Sequence, residues 1–396
     1  MPTDQADVYR GGKLAATLRR EGGGIHFDYV DAYIEAGGSA VATTLPIGTT
    51  TVTPGGAVPP FFAGLLPEGR RLGLLRRALK TSADDELTLL CGVGSDTVGD
   101  VQVVPRGQPP IAAAPAIDID PNEELDFSTL TGELAPVDRV GLAGAQDKVS
   151  GRMINIPARV AGERYILKLN PPEYPHVVEN EAFFLAASRE CGIPTVKSRV
   201  LVDRNGTPGL LVTRFDRTPS ADGPIASPVE DGCQALGRWP ADKYNVTTGE
   251  VFRRLAGLCA AEKVAARDLF RQLCFAILTG NGDLHAKNVS VLADSRGEWH
   301  IAPAYDLPST SFYGDRTLAM SVDGKRTGIS RRLLLDFAET LELRRPAATR
   351  WLDEGLQRTV SLTEQIESGA LPFETSVTRK ASRLMRNNRR LLTEGR

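Results

Sequence analysis

Residues 280–290, GNGDLHAKNVS, set an aspartate, a histidine, a lysine and two asparagines directly behind a helix-spaced apolar segment, AARDLFRQLCFAIL. Polar residues at that density after a helix make either a capped turn or a site. As a turn, Gly280 and Gly282 end the helix, and Asn281 and Asp283 satisfy the loose backbone groups. As a site, Asp283 stands five positions before Asn288, and VSVLADSRGEWHIAPAYDLPST then reads as two strands about a turn at Asp294–Gly297, delivering a second aspartate, Asp306. An isolated D-x-H-x-x-N string fits the turn equally well. Asp306, reached through two strands, favours the site.

That spacing matches the catalytic loop of protein kinases, where a base aspartate precedes a magnesium-binding asparagine by five residues and a second metal-binding aspartate follows a short hairpin. Magnesium prefers a few carboxylate or amide oxygens and fills its shell with water and phosphate oxygens, a set that Asn288 and Asp306 supply. Asp283 is then the group that accepts the proton of an attacking hydroxyl. His285, alternating with Asp283, is placed to hold the loop backbone, and Lys287 to meet a phosphate oxygen. A structural histidine and a solvated lysine are the alternatives.

The rest of the chain has the order that such a site requires. Residues 1–105 read as a small β-rich unit: VYRGGKLAATL carries a Gly-Gly hairpin signal, IHFDYV and AVATTLPI read as strands, and PEGRRLGLLRRALK and SADDELTLLC as helices. Residues 106–126, rich in proline, alanine and acid, read as a linker or surface strap. From 127 to 216, QDKVSGRMINI, RYILKLN, TVKSRVLVD and GLLVTRF read as strands around one helix, VVENEAFFLAASREC, with a turn at DRNG (203–206). From 217 to 396 the chain is mainly helical, with TTGEVFRRLAGLCAAEKV, RLLLDFAETL and the tail all helix-spaced. The fold class is therefore α+β: a bilobed, protein-kinase-like fold with an added β-rich N-terminal subdomain and a helical C-terminal lobe.

Lys168 lies within the apolar strand YILKLN, where a buried ammonium needs a partner. Glu179 and Glu181 of the next helix fall on different sides of it. Glu181, one turn from Val178 and Leu185, is on the side facing the sheet, so a Lys168–Glu181 pair is expected. A lysine on an edge strand reaching solvent is the alternative. Upstream, VGLAGAQDKVS places Gly141 and Gly144 in a loop ahead of a strand, where backbone N–H groups can cradle phosphates. It is not a Walker motif, and CGVGSDTVG fails as a dinucleotide fingerprint and reads as a turn.

Taken together, FFAGLLPEGRR, GSDTVGDVQV, LAGAQDKVS, YILKLN, VENEAFF, VTRFDR, GDLHAKNVSV and YDLPST occur in the order found in the HipA family, toxin kinases of HipA–HipB toxin–antitoxin systems, and the chain resembles that family over nearly its whole length. The resemblance implies a serine/threonine protein kinase using ATP and Mg2+, with Asp283 as base, His285 and Lys287 supporting the loop, and Asn288 and Asp306 as metal ligands. It implies an ATP site of Gly144, Ala145, Gln146, Lys148, Lys168 and Glu181, with VTRF (212–215) as the hinge near adenine through Thr213 and Phe215. It further implies an aminoacyl-tRNA synthetase as acceptor, notably the glutamyl enzyme, so that translation halts and cells become dormant and drug-tolerant. The partner it implies is a HipB-like helix-turn-helix antitoxin, the complex binding operator DNA mainly through that antitoxin, with residues 1–105 as the docking candidate. The family's inactivating autophosphorylated serine has Gly141 in its place here, and Ser150 follows the motif, so that route of self-inactivation is not carried over.

Composition narrows the remaining classes. A net charge of −2 from 47 basic and 49 acidic residues leaves no general polyanion-binding surface, so any nucleic-acid contact is local, the basic tail TRKASRLMRNNRR being the candidate. Five cysteines with no CxxC spacing argue against a disulfide framework or zinc knuckle. The start has no signal-peptide core and no apolar run spans a bilayer, which places the chain in the cytoplasm, with no membrane partner. Two other readings remain: a small-molecule phosphotransferase of the aminoglycoside or choline kinase kind, against which the N-terminal unit and LAGAQDK argue, and a pseudokinase co-repressor, against which Asp283, Asn288, Asp306 and Lys168 argue.

Overall fold

The computed structural model describes residues 3–110, 117–120, 124–129, 153–221 and 223–394. Gly141, Gly144, Ala145, Gln146, Lys148 and Ser150 lie outside the described residues.

The N-terminal unit is a five-stranded antiparallel sheet, ordered β4-β3-β2-β1-β5, of β1 (Gln5–Arg10), β2 (Lys13–Glu21), β3 (Gly24–Tyr29), β4 (Thr50–Pro54) and β5 (Val101–Pro105). Gly11 and Gly12, at φ 53° and 77°, supply the two positive-φ residues that a tight hairpin twisting with its strands needs. Val8, Leu18, Ile25 and Phe27 bury one face of this sheet against Phe62 and Leu90, which come from the short helix α1 (Pro60–Ala63) and from α3 (Glu86–Val93). Between those two lies α2 (Gly69–Leu79). Asp85 caps α3 through the Thr88 N–H, as the run of acids predicts. AVATTLPI, expected as a strand, forms turns with one isolated bridge between Ala42 and Leu45. Its side chains pack as anchors of a loop.

The second sheet, ordered β6-β7-β8-β10-β9, comprises β6 (Ile117–Ile119), β7 (Ile154–Val160), β8 (Glu163–Leu169), β9 (Ser198–Val202) and β10 (Pro208–Thr213). Strand β6 is a correction to the linker reading of 106–126: three residues pair in parallel with β7, and Ile119 is buried in the core of this lobe with Phe127. Alternation along β8 and β10 sorts their residues between two cores. Leu167, Leu169 and Leu211 face Phe127 and β7; Leu210 and Val212 face the helix α4 (Val177–Glu190) with Val178 and Phe184. Lys168 pairs with Leu210 in register and so shares the α4 side.

A small hairpin of β11 (Arg217–Thr218) and β12 (Ile225–Ala226) leads to the helical lobe. There β13 (Val229–Asp231), β14 (Ser290–Ala293) and β15 (Trp299–Ile301) form a three-stranded sheet beside the short helix α5 (Gly232–Ala235). The core is built on α6 (Thr248–Leu258), α7 (Glu262–Thr279), α8 (Arg331–Thr340) and α9 (Arg345–Arg358), through Phe252, Leu255, Phe270, Leu273, Leu334 and Leu352. The segment read as one helix through Cys259 and Val264 breaks at Cys259, whose ψ of 142° is extended, and α7 starts afresh at Glu262. The last helix, α10 (Thr375–Thr393), buries Ala381 and Met385 against the α4 side of the molecule. All five cysteines are free thiols. Among the described residues no helix is long and apolar enough to cross a membrane.

Candidate active site

Helix α7 ends where its apolar face ends. Gly280 adopts φ 67°, and Asn281 N–H returns to the Ala276 carbonyl at 2.9 Å, closing the last turn in the manner of a left-handed cap. The chain is thereby aimed into the polar loop. Asn281 Oδ1 accepts the Asp283 N–H at 2.8 Å, and Gly282 N–H donates to Thr310 Oγ1 at 2.9 Å. A Cβ on Gly282 would lie 2.4 Å from the Thr317 carbonyl, so residues 310–317 close on the loop at a distance only glycine permits.

Asn288 completes the loop from its far side. Its Nδ2 donates to the Asp283 carbonyl at 2.8 Å, which orients the amide and leaves Oδ1 as the oxygen that could hold a metal in the cleft this residue lines. Asp283 itself is fully buried, with His285 Nε2 4.0 Å from its Oδ1. The His285 ring packs edge-on to Tyr244 at 5.2 Å, and the His285 backbone N–H donates to the Asp283 carbonyl at 2.8 Å, so the loop's turn is held by main chain here and not by the imidazole.

Lys287 is not held out toward solvent. It donates to Asp231 Oδ2 at 2.6 Å and to the Gly64 carbonyl at 3.1 Å. Burial alone would lower its pKa, but the Asp231 charge outweighs burial and holds the ammonium above its ordinary value. Asp231 was not singled out from the sequence. Its signal was the D-x-x-Q capping box of α5, in which Asp231 Oδ1 accepts the Gln234 N–H and Gln234 Oε1 the Asp231 N–H.

Lys168 is buried between two carboxylates: Glu181 Oε1 at 2.7 Å, and Asp306 Oδ1 in direct contact. The solvent-reaching alternative for Lys168 is excluded. Burial pushes the Glu181 carboxyl above the ordinary range, with the Lys168 ammonium opposing it. Burial would likewise lower the Lys168 pKa, yet Asp306 and Glu181 together keep it raised. Asp306 has φ 50°, a left-handed conformation uncommon for a non-glycine residue and concentrated at functional sites. The loop behind it is held by Asn180 on α4, which exchanges bonds of 2.8 and 3.0 Å with the Ser309 backbone.

These groups line one cleft of about 360 Å3. Lys168, Thr213, Phe215, His285, Lys287, Asn288 and Asp306 all face it, whereas Glu181 stands behind Lys168 and Asp283 beneath the loop. Phe215 stacks on Tyr305 at 5.5 Å, and the Tyr305 hydroxyl donates to the Lys287 carbonyl at 2.8 Å. Tyr305, absent from the sequence-based set, thus joins the expected hinge to the 280–290 loop. An apolar slot beside Val196, Val212 and Phe215 with hard oxygens and a buried lysine at the other side fits a nucleotide and a magnesium ion in donor chemistry.

Comparison with known proteins follows the same division of the chain. Residues 6–104 match the model of the HipA N-terminal domain, and residues 140–363 that of the HipA-like C-terminal domain. Y4mE of Sinorhizobium fredii is 35% identical over 339 residues, covering 78% of each chain. The serine/threonine-protein kinase toxin HipA of Shewanella oneidensis is 28% identical over 316 residues, covering 72% of this chain and 71% of that one. Among solved structures, HipA from the S. oneidensis complex of HipA, HipB and operator DNA superposes with a TM-score of 0.77, at 21% identity over 98% of this chain and 97% of the other, a likeness of fold.

Proposed function

The chain belongs to the HipA family of kinases, and from that premise we propose that it is an ATP- and Mg2+-dependent serine/threonine protein kinase, the toxin of a toxin–antitoxin pair. The observation that carries this reading is the convergence of three sequence-distant groups on one cleft: Asn288 tied to Asp283, Asp306 in contact with Lys168, and Lys168 paired with Glu181.

In this reading Asp283 accepts the proton of a serine or threonine hydroxyl as its oxygen bonds to the γ-phosphorus and the bond from that phosphorus to the β-bridging oxygen breaks, releasing ADP. Bound magnesium would neutralise charge on the phosphoryl oxygens, with Asn288 and Asp306 holding it. Lys168, released from Asp306 toward the nucleotide, contacts phosphate oxygens while Glu181 keeps it in place. Val212, Thr213 and Phe215 receive the adenine. Asp283 is fully buried, with His285 beside it and the 310–317 segment packed on the adjacent Gly282, so the acceptor reaches it once this local packing opens.

The acceptor we favour is an aminoacyl-tRNA synthetase, the glutamyl enzyme first, and the partner a HipB-like helix-turn-helix protein docking on residues 1–105 and carrying the pair to operator DNA. The family resemblance supports these assignments, and HipB and operator DNA accompany the S. oneidensis relative. The test is phosphate transfer from ATP to purified aminoacyl-tRNA synthetases. Labelling of the glutamyl enzyme at a serine or threonine is expected; labelling of none of them would remove the acceptor assignment.

A further inference from the structure

The cleft has a front wall that neither kinase lobe provides. Residues 64–71 of the N-terminal unit cross its mouth, touching the helical lobe through the Gly64 carbonyl on Lys287 and through Glu68 on Lys243 at 3.0 Å, and the strand-rich lobe through Arg70 on Glu173. Asp96, Thr97 and Val98 of the same unit enter beside the hinge.

Six lysines and arginines line this cleft among the described residues: Arg70, Arg71, Lys168, Arg214, Lys243 and Lys287. Five are matched to carboxylates, namely Arg70 to Glu173, Lys168 to Glu181 and Asp306, Arg214 to Asp96 and Asp216, Lys243 to Glu68, and Lys287 to Asp231. Arg71 has no hydrogen bond or ion pair among the described residues. It lies in the first turn of α2, which contains no acidic residue. Its side chain is exposed at the cleft mouth and so open to a ligand; partial desolvation and the neighbouring Arg214 disfavour its charge, with Asp96 acting in the other direction. An anion entering the cleft would reverse that balance.

We propose that Arg71 is a nucleotide-phosphate contact supplied to the kinase cleft by the N-terminal unit. The inference rests on reading the cleft as an ATP site, because the phosphates are the anionic part of that ligand. It makes the N-terminal unit part of the phosphotransfer site in addition to any docking role, and it gives the FFAGLLPEGRR motif a chemical reason to end in arginine.

Calorimetric titration of the full chain with ATP, ADP and adenosine, for the wild type, Arg71→Ala and Arg71→Lys, tests this. Loss of one charged contact to phosphate should weaken ATP binding by about tenfold in Arg71→Ala, weaken ADP less, and leave adenosine unchanged, with Arg71→Lys recovering part of the loss. Equal ATP affinity in wild type and Arg71→Ala would overturn the proposal, as would parallel losses for ATP and adenosine. A wild type that binds none of the three would instead overturn the ATP-site reading itself, and this inference with it.

Discussion

Lys168 of β8 holds Glu181 of α4 at 2.7 Å and contacts Asp306 with the same ammonium, so one buried cation joins the helix of the strand-rich lobe to the aspartate that follows the 280–290 loop and its hairpin. Strand alternation puts Lys168 on the α4 side, and the left-handed turn at Asp306 brings the third partner in. Loss of Lys168 leaves buried Glu181 without its counterion, whereas loss of Asp306 leaves Lys168 paired with Glu181.

Lys168→Met should therefore lose ATP-dependent transfer and also lose stability, by about 3–5 kcal/mol for an uncompensated buried charge. The loss should depend on pH. Without the ammonium, burial raises the Glu181 carboxyl further above its unfolded value, so the unfolded chain binds fewer protons and stability falls as pH rises above about 4.3. Thermal melts at pH 5 and pH 8 should show the larger deficit at pH 8. Equal deficits would mean that Glu181 does not feel Lys168.

Asp306→Asn keeps the shape and removes the carboxylate. Magnesium-dependent transfer should fall below detection while the melting temperature stays within a few degrees of wild type, Lys168 retaining Glu181. Full activity in this variant would remove Asp306 from the metal site.

A second buried network locks the N-terminal unit onto residues 214–217. Asp216 accepts from Arg214 Nε and Nη2 at 3.1 and 2.8 Å, from Arg217 Nη1 at 2.7 Å and from the Gly99 N–H at 3.0 Å. Burial would raise its pKa, but Arg214 and Arg217 hold it below the ordinary range, so its stabilisation is present near neutrality and lost as pH falls through that lowered value. Asp216→Asn leaves two buried guanidinia with Asp96 as their one remaining shared carboxylate and should cost about 3 kcal/mol. Protease cleavage near residues 94–99 should accelerate in this variant; an unchanged digestion pattern and melt would argue against the lock.

Gly282→Ala would drive a methyl group against the Thr317 carbonyl, Thr310 Oγ1 and Asp315, at 2.4, 2.6 and 2.7 Å. The 310–317 segment must shift, and with it the packing that holds the loop next to Asp283. We expect a fall in kcat of at least tenfold, an order-of-magnitude figure for misplaced catalytic geometry, with nucleotide affinity within twofold of wild type. Unchanged kcat would show that the close approach does not position the loop.

Much of the cleft is legible in the sequence because its chemistry is written locally. Asp283 and Asn288 share one loop, Asp306 follows a hairpin announced by Asp294–Gly297, and Lys168 must find an acid because it sits in an apolar strand. Helix spacing then singles out Glu181. The contacts that escaped are those between segments with no periodic relation: Arg214 with Asp96, Lys287 with Asp231, Glu68 with Lys243. Local pattern also misjudged short elements. Ile117–Ile119 reads as linker because three residues carry too little alternation, and its pairing with β7 is decided by tertiary contact. AVATTLPI has strand composition, yet its backbone turns at Ala42–Leu45.

The most direct test of the central claim is transfer from γ-labelled ATP in a host lysate supplemented with magnesium and the purified protein, run beside Asp283→Ala. The account predicts a labelled protein band, carrying phosphoserine or phosphothreonine, that disappears with Asp283→Ala. Label confined to small metabolites, or a protein band that persists without Asp283, would contradict it.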